Sequence, residues 1–279
     1  MNNSILASAK DLLSSTVNKT KLYTDMEQSK AYSKNRHQYS DELFKTIVDY
    51  CKESIPDLNV AVDVGCGPGS STLGFAKYFK KVIGVDISES QIACAPKDVR
   101  NVEFRVGSSD KLPFIESGSV DLFCAGASFF LMPQKETFAE ADRVLRPGGT
   151  IAIFGYSSPK TDRPEINHIM ENIIAPKVLQ FYPKETEQLL DQSRSLELPY
   201  PGWIRNDSLS ISMNMTVEMH MELIKSSWMA VAYAKAFPGK DLAVEYGTLV
   251  KEALEQKSTG PDYTLTYDLF LLMGRKPIG

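Results

Sequence analysis

Val60-Ala61-Val62-Asp63-Val64-Gly65-Cys66-Gly67-Pro68-Gly69 decides the fold. A short apolar run carries an acid near its end and turns through glycines at every second position. Such a run is a buried strand, and a turn without Cβ atoms lets backbone N–H groups approach a ligand where the next helix begins. The reading is a strand, a tight turn and a helix that together hold a nucleotide-like molecule.

Outward from this unit, the pattern repeats. Val82–Asp86, Val102–Val106, Val120–Ala125 and Thr150–Tyr156 are further short runs rich in Val, Ile or Phe, separated by helical segments, which is the signature of βαβ units and a parallel sheet. Ser88 with Gln91 forms a capping box that opens the helix after the second strand. Phe138, Ala141, Val144 and Leu145 mark a helix over residues 134–145, and Arg146-Pro147-Gly148-Gly149 stops it.

Beyond Tyr156 the prolines at 159, 183, 199 and 201 break any regular pattern, so 157–208 reads as a lid over the site. Alternation at Leu209, Ile211, Met213 and Met215 predicts a half-buried strand. One helical face carries Val217, Met221, Ile224, Trp228 and Val231, another Leu242, Tyr246, Leu249 and Ala253. A final strand is expected from Tyr263 to Met273. The expectation is a single domain over 1–279: a helical cap at 1–58, a cofactor-binding core at 59–156, the lid at 157–208, and strands and helices completing the sheet at 209–279.

Composition narrows the partners. With 43% hydrophobic and 24% charged residues, the 279-residue chain falls among ordinary globular proteins, and its net charge of −4 gives no field that would draw nucleic acid or an anionic membrane. The four cysteines form no C-x-x-C pair, which argues against zinc or a redox dithiol. No signal-peptide core is visible in residues 1–20, and no run approaches the roughly 18 apolar residues that span a bilayer. A cytoplasmic protein, monomeric or homodimeric, with a small-molecule partner is expected.

Several cofactors use a glycine turn. The dinucleotide fingerprint wants a third glycine where Ser70 stands, which turns the reading away from NAD, although Asp86, 21 residues beyond Gly65, is placed to accept ribose hydroxyls in either case. Four stretches then coincide: Val62–Gly69; Gly84-Val85-Asp86-Ile87-Ser88; Leu112-Pro113-Phe114 with Val120-Asp121-Leu122; and Leu145-Arg146-Pro147-Gly148-Gly149-Thr150.

In these the sequence resembles the class I S-adenosylmethionine-dependent methyltransferases, and in particular the small-molecule branch that includes trans-aconitate methyltransferase. The resemblance covers most of the chain. It implies a Rossmann-like seven-stranded α/β sheet, mostly parallel with the last strand antiparallel, helices on both faces and the lid after strand five. It also implies S-adenosylmethionine as cofactor and S-adenosylhomocysteine as product. The implied cofactor residues are Asp63, Gly65, Gly67, Gly69, Asp86 and Ile87, Ser109 and Asp110 near adenine, and Ala125 and Gly126 near the amino group. Tyr32 and Arg36, with Tyr39 beside them, resemble the element that closes over the methionine end. Where many relatives carry an acid, this chain has Ser108.

For the methyl acceptor the resemblance is weaker. Members of that branch carry His-Trp-Phe-Asp where this chain reads Phe130-Leu131-Met132-Pro133, so trans-aconitate is not expected as substrate and a more apolar acceptor is. Candidate acceptor contacts are Phe129, Phe130, Tyr156, Tyr182, Arg194, Tyr200, Trp203 and Trp228, aromatic groups with few polar anchors. Because the sulfonium carries the difficult chemistry, no residue is assigned as catalytic, and O-methylation of a carboxylate needs orientation rather than a base. Of the three histidines, only His168 falls in the lid, while His37 and His220 read as peripheral. No acid follows the fourth strand until Glu136, so no metal is expected. The other readings are N- or hydroxyl O-methylation of a small metabolite, a cofactor-binding protein without catalysis, and an NAD-dependent oxidoreductase.

Overall fold

A computed structural model describes residues 22–35, 38–156, 158–257, 260 and 262–278. The chain divides into two compact units. A core unit comprises His37–Tyr156, Gln192–Leu209 and Asp268–Gly279, and an accessory unit comprises Met1–Arg36, Ser157–Asp191 and Ser210–Tyr267. The expected lid segment is therefore shared, its first part lying in the accessory unit and residues 192–208 in the core.

The core unit is built on parallel strands β1 (Val60–Val64), β2 (Lys81–Asp86), β3 (Val102–Val106), β4 (Val120–Gly126) and β5 (Leu145–Tyr156). They lie in the order β3-β2-β1-β4-β5, and the later half of β9 (Tyr263–Arg275) closes the sheet antiparallel to β5. The chain enters at β1, runs outward to β3 and returns to β4, so the carboxyl ends of β1 and β4 diverge into loops at a switch point where such sheets bind ligands. Ala61, Val62, Val64, Leu122, Phe123 and Cys124 are fully buried, as strands covered on both faces require.

The mixed α/β class expected from the sequence is the one found, but the described residues carry nine strands rather than seven. The additions are short: β6 (Lys160–Thr161) pairs with the first half of β9, and β7 (Ile204–Asn206) with its second half. A further difference lies at Arg146-Pro147-Gly148-Gly149. The helix ends at Val144 and β5 starts at Leu145, because Gly148 at φ +78° donates to the Lys276 carbonyl and Lys276 donates back to that of Gly149.

In the accessory unit, β8 (Ser210–Met215) leads into helices Val217–Lys225, Trp228–Ala236 and Leu242–Lys257. One helix was expected across the first two. Ser226 and Ser227 instead donate back to the carbonyls of Leu223 and Ile224, and Ser227 Oγ caps the next helix by accepting from the Ala230 N–H. No helix among the described residues is long and apolar enough to cross a membrane.

At the amino ends of the core strands, buried Asp121 accepts from the Val60 and Asn59 N–H groups and pairs with Arg146 Nε at 2.6 Å. Asp121→Ala leaves that cation and both donors without their anion, and is expected to cost about 3 kcal/mol, read as a lower urea midpoint at unchanged slope.

Candidate cofactor and acceptor site

Gly65, Gly67 and Gly69 adopt φ of +64°, +56° and +98°, conformations that side chains resist. At Gly65 space matters as well. A Cβ there would fall 2.5 Å from Ser128 Oγ and 2.6 Å from the Met132 methyl, so the loop after β4 closes directly onto the turn. At Gly67 the nearest atom to such a Cβ is Gln91 Oε1 at 3.5 Å, so there the positive φ rather than space excludes a side chain.

Asp86 ends β2 beside this turn. Its Oδ2 accepts from the Gly67 N–H and its Oδ1 from the Ser88 N–H, both at 2.8 Å, and each oxygen keeps a second lone pair for a ribose hydroxyl. Burial pushes its pKa up, and the Ser88 and Gly67 bonds oppose that shift. Ile87, next in sequence, is 56% exposed and offers an apolar face where adenine was expected. Ser109 turns inward instead, sharing a 2.9 Å bond with Thr137 Oγ1. Asp110 stays half-buried and accepts from the Ser108 hydroxyl.

Asp63 does not face the turn's open side. It has no exposed surface, its Oδ2 accepts from Ser71 and Thr72 at 2.6 Å each, and its Oδ1 faces the Cys124 thiol at 3.7 Å. The expected cofactor contact is thus corrected to a support behind the turn. Ala125 is fully buried, and at Gly126 a Cβ would lie 2.7 Å from the Phe154 ring. Beyond them Ala127 sits at φ +53°, a strained conformation for a residue with a side chain, and Ser128 Oγ donates to the Val64 carbonyl. Sequence reasoning passed over these two. The small-residue run Ala125-Gly126-Ala127-Ser128 was the only sign of them.

Comparison with known proteins gives the family. A family model described as a methyltransferase domain matches residues 62–153. A Dictyostelium discoideum protein described as a methyltransferase is 30% identical over 257 residues, which is 89% of this chain and 93% of that relative. The chain belongs to the class I S-adenosylmethionine-dependent methyltransferases. A Saccharomyces cerevisiae relative described as an S-adenosylmethionine-dependent methyltransferase is 29% identical over 145 residues, half of this chain and 49% of its own. A solved methyltransferase structure from Anaeromyxobacter dehalogenans superposes with a TM-score of 0.73 at 24% identity, covering 87% of this chain and 99% of that one, a likeness of fold.

On the acceptor side of this methyltransferase, several expectations change. Phe129 is core, its ring 4.9 Å from Phe138. Tyr200 is buried and donates to Asp142 Oδ1 at 3.0 Å, just before β5 begins, and Trp203 lies against Gly274 opposite Ile151. Both therefore pack at the amino ends of the parallel strands, away from the glycine turn. Arg194 is on the surface, bonded to Gln192 and 3.9 Å from Asp207. Phe130 is half-buried, and Tyr156 ends β5 with its ring 6.1 Å from that of Tyr39.

Within the accessory unit, Tyr182 meets half-buried Trp228 edge to face at 4.9 Å and donates to Met229 Sδ. Tyr32 packs edge-on to Tyr23 at 5.0 Å. Arg36 and His37 lie outside the described residues. His168 is exposed, with Nδ1 beside Asn172. His220, expected to be peripheral to the site, is buried, with Nδ1 at 2.7 Å from Tyr246 Oη and 2.9 Å from Tyr263 Oη, and burial pulls its pKa down to about 4. Nothing in the pattern of residues 217–231 marked it, because the partners come from two other elements.

Asp86→Ala is expected to weaken S-adenosylhomocysteine binding by about 1.5–3 kcal/mol, roughly 10- to 150-fold, as measured by calorimetry. An unchanged dissociation constant would remove Asp86 from the ribose site.

Proposed function

We propose that this enzyme methylates a small, largely apolar molecule at a carboxylate, giving a methyl ester. The observation that carries the reading is the state of the described histidines. His168 lies on the surface bonded to Asn172, and His220 is buried against two tyrosine hydroxyls, where burial pulls its pKa down to about 4, which makes it a weak base. A carboxylate needs none, being ionised at neutral pH with a pKa of about 4.

S-adenosylmethionine supplies the methyl group on a sulfonium, and attack by the carboxylate gives a neutral ester and a neutral thioether. The protein's part is orientation and exclusion of water. Asp86 takes the ribose and the Gly65–Gly69 turn lines the backbone side of the cofactor. Phe130 and Tyr156 of the core unit make apolar contacts to the acceptor. With Arg194 on the surface, the Ser128 hydroxyl and the Tyr156 phenol become the polar anchors for the acceptor oxygen. The apolar Phe130-Leu131-Met132 run supports an acceptor less polar than that of the trans-aconitate enzymes the sequence resembles.

Incubation with labelled cofactor and matched aliphatic and aromatic acids, alcohols and amines tests the proposal. Label that is released as methanol by mild alkali, and a rate that is flat between pH 6.5 and 8.5, is the expected outcome. Alkali-stable label, or a rate rising about tenfold per pH unit, would assign the reaction to a hydroxyl or amine.

A further inference from the structure

We propose that Asp63 is a positioning residue for the cofactor: its ionised carboxylate tethers the first turn of the helix that follows the glycine turn, so that acid loosens the cradle. The inference rests on the family's cofactor and is independent of the acceptor.

The geometry is that of an anion held for its charge. Asp63 lies two residues before Gly65 and is wholly enclosed. Ser71 Oγ and Thr72 Oγ1 approach the same oxygen at 2.6 Å each, within the short range of O–H donors on a carboxylate, where a bond is roughly twice as strong as on a neutral acceptor. Both donors belong to helix Ser70–Phe75, whose preceding residue is Gly69 and whose Leu73 N–H bonds the Gly69 carbonyl. Through them the carboxylate sets where Gly65, Gly67 and Gly69 stand relative to β1. A single atom thus ties the strand to the helix across the turn that receives the ligand.

An enclosed anion works against stability, and the Ser71, Thr72 and Cys124 contacts offset this only in part. Burial is the largest influence on Asp63 and moves its pKa up to about 6; Ser71, Thr72 and Cys124 draw it down, and Asp86 at the end of β2 pushes it up. Cys66 in the turn and Cys124 on β4 are themselves held neutral by burial and by Asp63. The sign follows. With a folded pKa above the unfolded value, the native protein keeps a proton that the unfolded chain loses between about pH 4 and 6, so stability falls across that window and stays lower above it, where Asp63 is ionised. A neutral residue would serve the fold better at neutral pH. Retention of a carboxylate points to work done by its charge, as is common where ionisable groups are buried beside a site.

Calorimetric titration of the full chain with S-adenosylhomocysteine, without acceptor, from pH 5 to 8 tests the tether. Affinity is expected to fall about tenfold from pH 7.5 to 5, with a component centred near pH 6, as two charge-assisted bonds weaken. In Asp63→Asn that component disappears, leaving only what belongs to Asp86, while the melting temperature of the ligand-free variant at pH 7.5 equals or exceeds that of the wild type. A variant curve that follows the wild type overturns the proposal. So does a pH component seen with S-adenosylmethionine but absent with S-adenosylhomocysteine, because the charge then acts on the sulfonium and not through the helix. Should Asp63→Asn fail to fold, Thr72→Val is expected to move the midpoint to higher pH and Thr72→Ser to restore it; an unmoved midpoint in Thr72→Val counts equally against the tether.

Discussion

One carboxylate joins the turn after β1 to the turn after β2. Asp86 accepts from Gly67 in the turn after β1 and from Ser88 in the turn after β2, so the positions of both turns follow from one side chain at the end of a buried strand. The parallel register that sets Val64 against Val85 brings these turns together, and the loop after β4 completes the arrangement when Ser128 and Met132 occupy the space that Gly65 leaves. The residues proposed to hold the cofactor thereby gather at the carboxyl ends of β1, β2 and β4. The amino ends carry a different network, Asp121 with Arg146 and the N–H groups of Asn59 and Val60, which serves the fold alone.

This division explains the fate of the acceptor candidates. Aromatic residues in an irregular segment read as pocket lining, but which end of a sheet they pack on is decided by chain path rather than composition. Tyr200 and Trp203 lead into β7, which adds to β9, and that pairing carries them to the amino ends of the strands. Phe129 fills the core below the loop that Phe130 continues.

Much of the core was legible because its signals are local. A strand rich in Val and Ile, an acid, and alternate glycines specify a turn by steric necessity, and Ser88 caps its helix through a hydrogen bond within four residues. What stayed hidden depends on contacts far apart in sequence. Asp63 looks like a ligand contact until Ser71 and Thr72 are seen to take its oxygen, and the burial of His220 shows only once Tyr246 and Tyr263 enclose it. The break at Ser226 and Ser227 was masked by an apolar periodicity that continues through it, although the two serines are themselves a local cue.

The account's central claim is that the Gly65–Gly69 turn with Asp86 receives S-adenosylmethionine. Amide hydrogen exchange with and without S-adenosylhomocysteine tests it most directly, since N–H groups that meet the ligand or are stilled by it exchange more slowly. Protection concentrated at residues 65–71 and 86–88 is the expected result. Tight binding that leaves those amides unchanged, with protection elsewhere in the chain, would contradict it.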